Sequence, residues 1–302
     1  MVTPRLYSRI TAVALALLAA IVVTGAAVRL TGSGLGCPEW PTCGGGRVIA
    51  PLEYHAMVEF VNRVVTGFVS LTVIVAVLGS LVRVPRRRDL VWLSIGLVAG
   101  VVGQIVLGGL VVLFHLWPPL VMGHFVVSMA LIADATVLHH RARQPDDGEI
   151  RLAVAPAHRT AGRLLLAAAA VVIVLGTVVT GAGPHAGNHD GQLVDRLPVD
   201  LGDVARLHGL SVMVFLALTL VTIARLISDR VAPDVVRRGA TLLAVLVAQA
   251  AIGYAQYFLG VPAMLVALHV AGATAVWVTS LRLYLSMHVR VRVDEPVAVA
   301  AA

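Results

Sequence analysis

The chain has no lysine: all 23 of its basic residues are arginine. Charge of either sign is scarce, at 13% of 302 residues, beside a hydrophobic share of 59% and a mean hydropathy of +0.92. A soluble globular domain carries about 25% charged residues, so that class is excluded. Alternating apolar and polar segments, the mark of a membrane β-barrel, are also missing. Cysteine is limited to Cys37 and Cys43, too few ligands for a cysteine-built metal centre. What is abundant is uninterrupted apolar sequence. Runs at approximately 10–28, 56–82, 90–113, 120–140, 162–181, 203–228, 239–259 and 264–287 are each long enough to cross a bilayer, which takes about 20 helical residues. Helices satisfy their own backbone in lipid. The expectation is an all-α membrane protein with eight transmembrane helices in the lipid bilayer.

The net charge of +7 suits nucleic acid, but its distribution does not. Arg5 and Arg9 precede the first run, Arg83 and Arg86–Arg88 follow the second, and Arg141, Arg143, Arg151, Arg159 and Arg163 surround the fourth connection. Arg225, Arg230, Arg237 and Arg238 mark the sixth, and Arg282, Arg290 and Arg292 the end, whereas the alternate loops carry only Arg29, Arg47 and Arg196. By the positive-inside rule the basic loops and both termini are cytoplasmic. The charge encodes orientation, and no nucleic-acid partner is expected. Arg5 and Arg9 ahead of an apolar stretch also imitate a signal peptide. However, Val22-Val23-Thr24-Gly25-Ala26 returns as Val178-Val179-Thr180-Gly181-Ala182, so each half needs its first helix and the segment is read as retained. With no Arg- and Ser-rich transit segment ahead of it, a bacterial plasma membrane is expected rather than an organelle.

The duplication extends further. Gln104-x3-Gly108-x15-His124 recurs 145 residues later as Gln249-x3-Gly253-x15-His269. His208 lies 61 residues before His269, and 62 residues before His124 stands Asn62. Four helices per half make a parallel repeat about an axis along the membrane normal. The expected architecture is two pseudo-symmetric four-helix bundles, residues 1–150 and 151–302, joined by the polar segment around 141–160. Residues after Val293 read as a loose tail.

Histidine within the bilayer is costly and points to a function or a buried partner. Two histidines offered by facing helices of a bundle are a usual way to hold a haem iron from both sides. His208 with His269 is the complete pair; Asn62 with His124 is the specialised one. A lone membrane histidine is more simply a hydrogen-bonding residue, but three at repeat-related positions of similar depth argue for ligands. His185 and His189, in the second long outer loop, are placed to help cover an outward-facing site. Glu59 falls three residues before Asn62 and four before Arg63, so the three share one stretch of helix. It reads as an ion-pair partner of Arg63, as a proton acceptor facing the first bundle, or as both. Arg63 and Arg206, the arginines well inside helices, could meet the carboxylates of a haem. Asp203 reads as a helix cap. Cys37 and Cys43, in a loop facing an oxidising compartment, suggest a disulfide, either a structural staple or a redox-exchangeable bond.

Taken together, three segments resemble the heme A synthases: Arg29-Leu-Thr-Gly-Ser-Gly-Leu-Gly-Cys37-Pro-Glu-Trp-Pro-Thr-Cys43, Glu59-x2-Asn62-Arg63 and Thr180-Gly-Ala-Gly-Pro-His185-Ala-Gly. His124, His208 and His269 complete the likeness, which covers nearly the whole chain. The resemblance implies an oxidoreductase that converts the C8 methyl of heme O to a formyl, giving heme A for terminal oxidases. It implies a haem b cofactor on His208 and His269, and a substrate haem in the first bundle with His124 as an iron ligand. Glu59 would be the catalytic carboxylate, and Cys37 and Cys43 the family's loop disulfide. It also implies an unidentified electron acceptor and assembly partners such as a heme O synthase and the terminal oxidase. Many members have histidine where this chain has Asn62, which leaves the iron side opposite His124 open. The competing expectation is a di-haem membrane cytochrome that transfers electrons without modifying haem, which would need four ligands.

Overall fold

A computed structural model describes residues 1–188 and 194–291. Its eight long helices are α1 (Pro4–Leu30), α2 (Tyr54–Val82), α3 (Arg88–Leu113), α4 (Pro118–Ala142), α5 (Pro156–Ala182), α6 (Leu201–Ser228), α7 (Pro233–Phe258) and α8 (Ala263–Ser286). Each is 24–29 residues long and apolar enough to cross a membrane, so the chain is an eight-helix membrane protein. Three helices start about six residues earlier than their apolar runs. Pro4, Pro156 and Pro233 occupy the first turns of α1, α5 and α7, where proline lacks only an N–H that would be unpaired anyway. The arginines of those turns extend the helices past the apolar stretch, with charged heads free to reach water.

Helices α1–α4 close into a ring in which each packs on the next and α4 returns to α1; α5–α8 repeat the pattern. The rings meet where α1 and α4 pack on α8 and α4 packs on α5. Each ring has its own core, one including Leu18, Val73, Leu97 and Ile132, the other Leu165, Phe215, Leu242 and Leu283. Trp277 of α8 packs against both cores, and its indole Nε1 donates to the Met129 carbonyl of α4 at 2.9 Å.

At the end of the rings that holds the N-terminus, two short strands escape the sequence pattern. β1 (Glu149–Leu152) pairs antiparallel with β2 (His288–Val291), so the segment joining the rings is zipped to the end of α8. The arginines at this end also fasten loops: buried Arg87 pairs with Asp89 at 2.7 Å and donates to the carbonyls of Arg141, Gln144 and Pro145, while Arg83 pairs with Asp146. Crowding by Arg87 and Arg141, after the cost of burial, holds the Arg290 guanidinium of β2 below its ordinary pKa. At the opposite end the two tight hairpins need positive φ at His115, Leu116 and Val261 to reverse so abruptly. The tail expected after Val293 lies outside the described residues.

Trp277 makes the seam between the rings a testable feature. Trp277→Ala is expected to destabilise the protein by about 2–3 kcal/mol, less than the ~3–5 typical of a fully buried aromatic. Trp277→Phe, which loses mainly the hydrogen bond, should cost only about 1 kcal/mol. Thermal unfolding in detergent checks both, and equal stability of all three proteins would remove the seam.

Candidate functional site

His208 is the eighth residue of α6 and His269 the seventh of α8, about 9–11 Å below the start of each helix at ~1.5 Å per residue. Their ring centroids lie 6.4 Å apart with 70° between the planes. Two metal–imidazole bonds of about 2.0–2.1 Å end to end, with each nitrogen roughly 1.1 Å from its ring centre, put two centroids ~6.3 Å apart. Each ring can turn about its bond, so the angle between planes is no obstacle. The pair therefore has the separation that one shared iron requires. Among the described residues no three His, Cys, Asp or Glu side chains converge on a common point. A porphyrin brings four nitrogens of its own, so two axial ligands are all it asks of the protein.

The repeated glutamine and glycine of the sequence module account for how His269 is held. Gln249 and Gly253 are one turn apart on α7 and face α8 together. Gln249 Nε2 donates to the His269 backbone carbonyl at 2.8 Å. A Cβ on Gly253 would stand 3.1 Å from His269 Cε1, so the ring lies directly on bare backbone. His208 rests in the same way on Gly176 of α5, where a Cβ would be 3.2 Å from its Cε1.

The first ring repeats half of this. Gln104 Nε2 donates to the His124 carbonyl at 2.9 Å, and a Cβ on Gly108 would meet His124 Cε1 at 3.3 Å. The Nδ1 atoms of His124 and His269 are buried without a hydrogen-bond partner, and such an atom costs about 1–3 kcal/mol. Asn62 behaves differently. Its Oδ1 accepts the Thr24 hydroxyl at 2.9 Å, and the two line a groove of about 360 Å³ between α1 and α2 whose other walls include Met57, Val58, Val61 and Val65. Thr24, on another helix, is a partner that spacing along the chain could not have revealed.

Over this ring sits the loop between α1 and α2. Cys37 and Cys43 are disulfide-bonded, and both are buried. Glu59, the one buried carboxylate among the described residues, accepts the Cys37 N–H on Oε2 at 2.8 Å and Arg63 on Oε1 at 2.6 Å. The ion pair expected from their spacing is therefore formed. Arg63, expected to meet haem carboxylates, points elsewhere: its two terminal nitrogens donate to the carbonyls of Cys37, Glu39, Pro41 and Thr42. Trp40 completes the clamp by lying flat on Gly109 of α3. Glu39 is exposed, and bonds from Thr42 and the N–H groups of Gly45 and Gly46 hold its carboxyl below the usual range.

The remaining candidates divide. Arg206 is exposed and paired with Asp203 at 3.2 Å, away from both rings' interiors. Asp203 is not the cap of α6; Asp200 is, because the helix begins at Leu201 and the Asp200 side chain accepts the Asp203 N–H. His185 lies at the end of the rings opposite the N-terminus. Its Nε2 bonds the Val261 carbonyl at 2.8 Å, its own carbonyl receives Arg29 Nε at 2.6 Å, and Gly34 N–H reaches the Gly187 carbonyl at 2.8 Å. The two long loops at this end are thus joined across the rings. His189 lies outside the described residues. From this geometry, Arg63→Ala should release the cysteine loop, so that mild reductant exposes Cys37 and Cys43 to alkylation much faster than in the parent protein; equal rates would show that Arg63 does not hold it.

Comparison with known proteins agrees with this layout. Residues 8–281 match the profile of the COX15-CtaA family, described as cytochrome oxidase assembly protein, and the matched span runs from before Thr24 to beyond His269. The heme A synthase of Lysinibacillus sphaericus (strain C3-41) is 31% identical over 119 residues, 39% of this chain and 38% of that protein. Those of Alkalihalophilus pseudofirmus (27% over 135 residues, 44% of each chain) and Listeria welshimeri (31% over 120 residues, 39% of each) are also similar. The chain spans about two fifths of the length of the curated relatives it matches. With nine-tenths of its residues, every candidate ligand among them, inside the matched span, the chain belongs to the cytochrome oxidase assembly protein family, COX15-CtaA.

Proposed function

We propose that this protein is a heme A synthase, an oxidoreductase that converts the C8 methyl of heme O to a formyl. The observation that carries the proposal is an asymmetry: one ring offers two imidazoles 6.4 Å apart, and the other offers one histidine, His124, and an amide, Asn62, already bonded to Thr24. Residues 151–302 form the cofactor half, in which His208 and His269 would hold haem b. Residues 1–150 form the substrate half, in which His124 would hold the iron of the substrate haem and the Asn62 amide would not. A haem closed by two histidines supplies electron transfer. Converting the methyl to a formyl, with water as the oxygen source, gives up four electrons and four protons, and Glu59, buried one turn from Asn62, is the group proposed to accept protons. Arg63 and the Cys37–Cys43 loop cover the outer end of this half. Electrons leave to an acceptor outside the chain, and the product passes to terminal oxidase assembly, with a heme O synthase as the supplier.

The distribution of arginine supports placing both termini and the β1–β2 ribbon in the cytoplasm, with the haem sites near the outer surface of the plasma membrane. A di-haem cytochrome would require a fourth ligand, and Asn62 Oδ1 is engaged elsewhere.

Expression with a heme O supply, followed by extraction and separation of haems, tests the reaction. Heme A should form, and Glu59→Ala or His124→Ala should lower its yield at least about 100-fold. Bound haem b with no conversion under competent redox supply would contradict the proposal. Independently, His208→Ala and His269→Ala should each abolish low-spin haem b absorbance in the purified protein; unchanged spectra in both would remove the ligand assignment.

A further inference from the structure

In three places a histidine ring lies on a glycine of the preceding helix: His124 on Gly108, His208 on Gly176 and His269 on Gly253. A Cβ at any of these glycines would come within 3.1–3.3 Å of ring Cε1, closer than the roughly 3.5–4.0 Å of an ordinary carbon contact. The glycines come from three different helices, α3, α5 and α7, so the pattern is not a local sequence repeat alone. In α4 and α8 a second contact acts with it, the glutamine amide on the histidine's own carbonyl at 2.9 and 2.8 Å. The fourth position breaks the pattern: there α1 presents the Thr24 side chain, bonded to Asn62.

We infer that ligand competence in this fold is set by the residue facing the imidazole from the preceding helix. Gly108, Gly176 and Gly253 are positioning residues that let the ring settle with its far nitrogen toward the iron. Gln104 and Gln249 fix the turn that carries the ring. Thr24, as much as Asn62, closes the fourth ligand position and so makes the first half a one-histidine site. This rests on the haem reading above, and goes beyond it by assigning the difference between the two halves to a residue pair and not to the missing histidine alone. Small residues elsewhere provide the contrast. Gly209, next to His208 on α6, and Gly103 on α3 have nothing within 4 Å of an added Cβ.

The test uses the purified full chain in detergent, titrated with haem b and followed by absorbance and electron paramagnetic resonance. Gly176→Ala and Gly253→Ala should each weaken low-spin haem binding by about 10- to 100-fold, as loss of an orienting neighbour does at other metal sites. Gly209→Ala and Gly103→Ala should leave it unchanged. Alanine is the better helix former at all four positions, so a loss confined to the first two is not a weakened helix. In the first half, Asn62→His alone should not create a second low-spin centre, whereas Asn62→His with Thr24→Gly should. Parental haem binding in both Gly176→Ala and Gly253→Ala would overturn the inference. So would a second low-spin centre in Asn62→His alone, or none in the double variant. A parent protein that takes up no haem at all would overturn the haem reading itself, and this inference with it.

Discussion

Imidazoles inside a bilayer need something to face. Here the His208 and His269 rings stand 6.4 Å apart, centroid to centroid. An apolar bundle has no use of its own for polar rings at this depth, because each could be replaced by leucine with a gain in packing, so their retention points to a ligand. The pair therefore accounts for the local sequence of the second ring: glycine on α5 and α7 to admit the rings, and glutamine on α7 to fix the turn. The remaining helices supply length, lipid-facing surface and the seam to the other ring.

The first ring is the same frame put to another use. Its α3–α4 side keeps the glutamine, the glycine and the histidine, while its α1–α2 side has asparagine for histidine, bonded to Thr24 of α1. Over it lies a loop pinned from three directions, by Glu59 and Arg63 below, Trp40 on α3 to one side, and the disulfide within. Because both cysteines are buried, a solution thiol has poor access to the bond, which favours the staple over exchange. Arg29 and His185 extend the cover to the second ring, so the ends of both halves opposite the N-terminus are held by one set of loop contacts.

The eight helices were legible because length and hydropathy are sufficient where the solvent is lipid. Their starts were less so: the apolar runs begin near 10, 162 and 239, whereas each helix runs on through its arginines to a proline that begins it. The β1–β2 ribbon was invisible, since Glu149–Leu152 and His288–Val291 are four residues each and 135 residues lie between their facing ends. Of the site, the histidines and Glu59 stood out by being polar in apolar sequence. The glutamine–glycine spacing was visible too, but spacing does not tell which atom a side chain reaches. Gly176 and Thr24 could not be found at all, because a glycine or threonine in a membrane helix is unremarked until the residue across from it is known. Asp203 was mistaken for the cap because the helix start was placed two residues late.

The most direct measurement is an anomalous-difference map at the iron absorption edge from crystals of the haem-loaded protein. The account predicts an iron peak midway between the His208 and His269 rings, about 2 Å from one nitrogen of each. Iron absent from that midpoint, or those two rings turned away from each other around it, would contradict it.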